Sequence, residues 1–226
     1  MAHAEALRNL DPPIRGDEVH PGEVEDLAAL TARLPLEDGE PMETERHRAQ
    51  MNLLIESIRH HWRRDDYWAS GNQFIYYHPA QARAVMAELA AEEAGQKVQK
   101  RAYRGPDFYL VKDVDGSYPR DTWVVWKEGN RYPDLIIEIL SSSTKHTDLT
   151  TKKRIYEKTF KTREYMVWDP YKPDAFQGWR LGKSGRYKKI KPDSRGWRWS
   201  EETSLWLGSW RGHFGVEETD WLRFRN

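Results

Sequence analysis

Residues 131–158 read RYPDLIIEILSSSTKHTDLTTKKRIYEK, and the fold turns on how this stretch is parsed. Asp134 to Leu140 is the most apolar strand of the chain, opened by Pro133 and interrupted only by Glu138. A buried strand of this kind reads as a short continuous apolar run bounded by breakers. Ser141 to Thr144 supply the break, and a helix is expected from about Asp148 to Phe160. Glu164 to Trp168 then reads as another strand. A strand, a crossover helix and a second strand form the unit that joins neighbours in a sheet with parallel pairs.

The neighbouring segments extend that unit. Thr44 is a helix N-cap candidate with Glu45 in the following turn, and Met51, Leu54, Ile55 and Ile58 fall on one helical face. Asn72 to Tyr77 reads as a strand, and residues 79–100 as a second helix carrying Ala82, Val85, Met86, Leu89 and Ala90 on one side. Phe108 to Lys112 and Thr122 to Lys127 are further strands, with a turn at Glu128-Gly129-Asn130. The remainder reads as short strands punctuated by glycines at 178, 182, 185, 196, 208, 212 and 215. The order describes an α/β sandwich built on a mixed sheet. Residues 1–41, with five prolines and many acids, read as a leader with little core and one short helix near Glu23 to Leu34. Residues 42–226 form the single domain.

Composition excludes several classes. The chain has 226 residues and no cysteine, so disulfide scaffolds, thiolate metal sites and cysteine nucleophiles are ruled out. No apolar run approaches a membrane span and no signal peptide is evident, so a cytoplasmic protein is expected. The zero net charge hides a gradient: residues 1–45 carry twelve acids and three bases, and the rest 33 bases and 24 acids. A basic body can hold a phosphate-facing patch. Residues 145–163 and 183–198 each carry seven Lys or Arg, which fits either such a patch or ordinary solvated faces. There is no G-x-S-x-G and no H-E-x-x-H.

Chemistry concentrates between residues 107 and 152. Glu138 needs a partner, because a buried carboxylate is costly alone. Asp134 lies four residues away on the same strand, about 13 Å at about 3.3 Å per residue, too far to share a small cation. Asp107, at the head of PDFYLV, comes from another strand, and adjacent strands lie only about 4.8 Å apart. Asp107 and Glu138 together suit Mg²⁺, which takes few carboxylates and keeps its waters. A salt bridge from Glu138 to Lys152 or an arginine would satisfy the same burial, so both readings stay open. Glu43 and His47 extend the buried stripe of the first helix backward, and polar residues there need an explanation.

The 131–158 stretch, followed by TREYMVWDPY at 162–171, resembles the Uma-two family of restriction endonucleases of cyanobacterial type, within the PD-(D/E)XK nuclease superfamily. The similarity runs from EDGEPMETERHRAQMNLLI at 37–55, through RGPDFYLV at 104–111, to GWRWSEETSLWLGSW at 196–210. It implies a restriction-endonuclease-like mixed sheet flanked by helices, with added C-terminal strands. It also implies a metal-dependent endonuclease acting on DNA, with Mg²⁺ or Mn²⁺ as cofactor. Asp107 then matches the PD aspartate and Glu138 the second metal ligand, joined by the backbone carbonyl of Ile139. Leu140 stands where the lysine usually is, and Lys152 on the next helix takes its place, with Lys153 the adjacent alternative. Glu43 matches an acidic position that often completes such sites, and His47 a supporting or substrate-contacting one. Residues 78–100 look inserted. A catalytically idle DNA-binding or assembly protein on the same fold is the rival reading. Cutting both strands of a duplex favours a homodimer.

Overall fold

The computed structural model describes residues 27–34, 44–96, 105–215 and 217–226. A short helical stretch at residues 27–31 falls within the one expected near Glu23 to Leu34, and the first long helix, α1 (Glu45–His61), starts where the Thr44 hydroxyl accepts the His47 N–H at 3.1 Å. It buries Leu54, Ile55 and Ile58 of the expected stripe, with Met51 partly buried against the same core. Then come β1 (Tyr67–Ser70), β2 (Ile75–Tyr76), α2 (Pro79–Glu93), β3 (Phe108–Lys112), β4 (Trp123–Val124) and β5 (Leu135–Ile139). A continuous helix, α3, spans residues 145–160 and widens into π turns at Asp148–Lys152 and Tyr156–Phe160. The chain finishes with β6 (Glu164–Trp168), β7 (Gln177–Leu181), β8 (Tyr187–Lys189), β9 (Arg198–Ser200), β10 (Leu205–Phe214) and β11 (Glu217–Arg225).

The main sheet has the order β1-β3-β5-β6-β7-β8. Only β5 and β6 pair in parallel, and α3 is the crossover between them; the other pairs are antiparallel. Every residue of β5 and β6 is buried. Both faces are therefore covered, as continuous apolar strands require. One face packs Phe108, Leu110, Ile137, Ile139 and Met166 against α1 and against Leu207, Leu222 and Phe224 of the C-terminal strands. The opposite face packs Tyr109, Val111, Ile136, Tyr165 and Val167 against Tyr156 and Phe160 of α3. This is the mixed sheet with flanking helices and extra C-terminal strands expected of a restriction-endonuclease-like fold.

Several boundaries differ from the sequence reading. β1 was not anticipated, and it pairs with β3 through the register Tyr67↔Lys112. The strand expected over 72–77 shrinks to Ile75–Tyr76, and that over 122–127 to Trp123–Val124, because the two form only a short parallel pair. The C-terminal strands are not uniformly short. β10 and β11, of ten and nine residues, make a long antiparallel hairpin flanked by β9. The leader is also more involved than expected: within residues 27–34, Leu30 and Leu34 are buried with Phe74, Tyr76, Ala82, Val85 and Val124. The Trp126 indole N–H donates to the Thr31 hydroxyl at 3.1 Å. The rest of 1–41, Glu43, and residues 97–100 of the inserted-looking piece lie outside the described residues.

Candidate active site

The register of β3 on β5 builds the centre. Phe108 lies opposite Ile137 and Tyr109 opposite Ile136. One step further along the same antiparallel ladder sets Asp107 opposite Glu138. Directly opposed residues have Cβ atoms about 4.5–5.5 Å apart, and like charges in that position repel. The alternation of strand side chains puts Glu138 on the α3 side, with Tyr109 and Ile136, while the Asp107 carboxylate reaches between His47 of α1 and the Ile139 N–H.

Each carboxylate is tied down. Asp107 accepts the Ile139 backbone N–H at 2.6 Å through Oδ2, and His47 Nε2 lies 2.8 Å from Oδ1. The Asp107 backbone N–H reaches Glu138 Oε2 at 3.3 Å. Glu138 is fully buried, and its Oε1 accepts the Tyr156 hydroxyl at 2.8 Å and lies 3.1 Å from Lys152 Nζ. Position 71 is a glycine for a physical reason. A Cβ there would run into the backbone oxygen of Asp107 and the Met51 side chain, so the β1–β2 turn can close under Asp107 only without one.

Lys152 does not face Glu138 alone. Its Nζ lies 2.9 Å from Asp148 Oδ1, one turn earlier on α3, and Asp148 is 1 % exposed. Asp148 was missed in the sequence, where it reads as an ordinary polar helix start. The available signal was an acid four residues before the lysine, the spacing that places both on one helix face. Lys153 points elsewhere: its Nζ sits 3.6 Å from the centre of the Trp179 ring. One position along a helix turns a side chain by about 100°, which separates the two lysines. Asp134 is at the start of β5, accepting the Lys112 N–H at 2.9 Å, with Arg131 3.6 Å away.

The electrostatics follow from three carboxylates sharing one ammonium. Burial pushes the Glu138 carboxyl well above its usual range, and Lys152 offsets this only in part while Asp148 and Asp107 add to it. Asp148 is raised by burial in the same way, against the pull of Lys152. Lys152 would be lowered by burial, but Glu138, Asp148 and Asp107 together hold it above its ordinary value, so it stays charged. Burial also works against ionised Asp107, yet the hydrogen bond and charge of His47, then Lys152 and the Ile139 N–H, bring it below the usual carboxylate range. Glu138 and Asp148 therefore hold protons more readily than free carboxyls, while Asp107 and Lys152 are held in their charged forms.

Two neighbouring carboxylates, Asp107 and Glu138, are oxygen donors of the kind a hard divalent cation takes while it retains part of its water shell. Glu138 Oε2 is free of the contacts that occupy Oε1, apart from the long one to the Asp107 N–H. Among the described residues no group of three or more His, Asp or Glu is placed to hold a metal ion. Glu43 is not among those residues.

A mixed sheet with a parallel central pair, a crossover helix and this carboxylate–lysine cluster places the protein in the restriction-endonuclease-like class. Residues 24–211 match the model of the Uma2 family, described as "Putative restriction endonuclease", and the chain belongs to that family. No curated protein matches it. No helix among the described residues is long and apolar enough to cross a membrane.

Proposed function

We propose that this protein is a metal-dependent endonuclease hydrolysing DNA phosphodiester bonds, with Asp107, Glu138 and Lys152 as its catalytic residues. The observation that carries the reading is the close approach of Asp107, just before β3, to Glu138 of β5, with the Asp107 N–H 3.3 Å from Glu138 Oε2, beside one buried ammonium. Repulsion between opposed carboxylates is a standing cost that structure alone does not reward. Mg²⁺ or Mn²⁺ would be held by Asp107, Glu138 and the Ile139 carbonyl; when bound it polarises the scissile phosphate and acidifies an attacking water.

The remaining residues position these groups. His47 fixes Asp107, and Tyr156 fixes the Oε1 side of Glu138, which leaves Oε2 facing Asp107. Asp148 keeps the Lys152 ammonium charged and in place. A charged lysine beside the reacting phosphate offsets the negative charge that grows in the transition state and orients the nucleophile. It serves there as an electrostatic group and donor, since the surrounding carboxylates hold its proton.

The Glu138–Lys152 ion pair, at 3.1 Å, also favours a second reading, in which the cluster is a purely structural salt bridge in an idle nuclease fold. Supercoiled-plasmid nicking separates the two. Wild-type protein should convert supercoiled DNA to open circle with Mg²⁺ or Mn²⁺ and not with EDTA, while Asp107→Ala and Lys152→Ala should not. Equal nicking by wild type and both variants, or none by wild type with either metal, would overturn the catalytic reading.

A further inference from the structure

Tyr171 follows β6 by three residues and is 68 % exposed, the highest value among the large apolar side chains of the described residues. The backbone that carries this ring is held. The Asp169 carboxylate accepts the Tyr171 N–H at 3.0 Å, and the Lys172 N–H bonds back to the Asp169 carbonyl at 3.0 Å. The Arg46 guanidinium lies over the ring, 5.1 Å from its centre. Arg46 is itself fixed, donating to the Pro170 carbonyl and the Thr219 hydroxyl at 2.9 Å each and to the Asp220 carbonyl at 3.2 Å. One face of the ring is thus backed by a clamped cation.

Two routes tie this ring to the carboxylate pair. Arg46 precedes His47, which bonds Asp107. Trp168, at the end of β6, pairs with Ile139, whose N–H bonds Asp107. Three residues beyond a neighbouring strand, even at full extension, keep the Tyr171 Cα within about 16 Å of the Ile139 Cα. The loop is also joined to the start of α3, where Lys145 Nζ lies 3.4 Å from the second Asp169 oxygen. The Lys145 side chain is 44 % exposed, and Lys172, next in the chain to Tyr171, is exposed.

We infer that Tyr171, backed by Arg46, is a stacking platform for an unpaired nucleobase next to the scissile phosphate, so that the site takes single-stranded or frayed nucleic acid. The inference rests on the nuclease reading and gives it a substrate class. A rigid aromatic ring offers its π face to any base, and an arginine beneath adds to the stack. A base inside a duplex cannot use it, because both of its faces are already stacked.

The test is fluorescence anisotropy in EDTA at one fixed salt concentration, which reads binding without cleavage. Wild type, Tyr171→Ala and Tyr171→Trp are each titrated against a labelled single strand, a blunt duplex and a duplex with a single-stranded overhang. Tyr171→Ala should weaken single-strand and overhang binding by about 5- to 150-fold, the worth of one stacked base, while changing blunt-duplex binding less than about twofold. Tyr171→Trp should stay within about twofold of wild type throughout. Single-strand binding unchanged in Tyr171→Ala would overturn the platform, as would an equal loss on all three probes. Wild type that binds only blunt duplex and still nicks plasmid would overturn the platform alone. Wild type that binds no probe and does not nick would overturn it together with the nuclease reading.

Discussion

Replacing Lys152 by methionine keeps the volume of the side chain and removes its charge. Two buried carboxylates then lose their shared partner, Glu138 at 3.1 Å and Asp148 at 2.9 Å. Breaking a buried pair by removing one member costs about 3–5 kcal/mol. For a domain of this size each kcal/mol lowers Tm by about 2–4 °C, so a fall of about 6–20 °C is expected at pH 8. The penalty should depend on pH. Glu138 and Asp148 already sit above their ordinary values because of burial, and loss of the ammonium raises them further. A carboxyl raised in the folded state binds protons that the unfolded chain releases. Its contribution is therefore intact below the unfolded value and is lost as pH climbs through the folded one. The gap in Tm between wild type and Lys152→Met should be smallest near pH 5 and widest near pH 8. Thermal melts followed by circular dichroism at four pH values measure it. An unchanged Tm at pH 8, or a gap that does not vary with pH, would refute the shared-ammonium account.

Further outcomes follow from the same geometry. Saturating Mn²⁺, at about 100 times its Kd, should stabilise wild type by about 2.7 kcal/mol, or about 5–11 °C, and Asp107→Asn should lose most of that shift in a thermal-shift assay. Asp148→Asn should keep the Mn²⁺ shift but slow nicking at least tenfold, because Lys152 is no longer held; wild-type nicking in this variant would remove Asp148 from the site. Gly71→Ala should displace the Asp107 backbone, read as loss of the Mn²⁺ shift in a protein whose circular dichroism is unchanged. Static light scattering at several concentrations should give twice the monomer mass, matching the twofold symmetry of a duplex cut on both strands; a strictly monomeric mass would indicate a nicking enzyme.

Much of the site was legible because burial is expensive for charge. One acid inside LIIEI, and one aspartate heading a strand after Pro106, announce themselves as residues that need partners. Periodicity and capping likewise located α1, α3, β3, β5 and β6 from local pattern alone. The β3–β5 register was not legible, since nothing in either strand names its opposite number, and it is the register that sets Asp107 against Glu138. Asp148 escaped because an acid near a helix start has a sufficient local explanation, and only packing of α3 on the sheet turns it inward. The long C-terminal hairpin escaped because Gly208 and Gly212 read as strand breakers. In the fold they are sites of close approach, where a Cβ would collide with the rings of Trp197 and Trp210. Residue type and spacing thus determined which groups must be buried and which helices and strands carry them. Which groups meet was decided by tertiary structure, because strand pairing and helix packing are long-range contacts that local sequence does not encode.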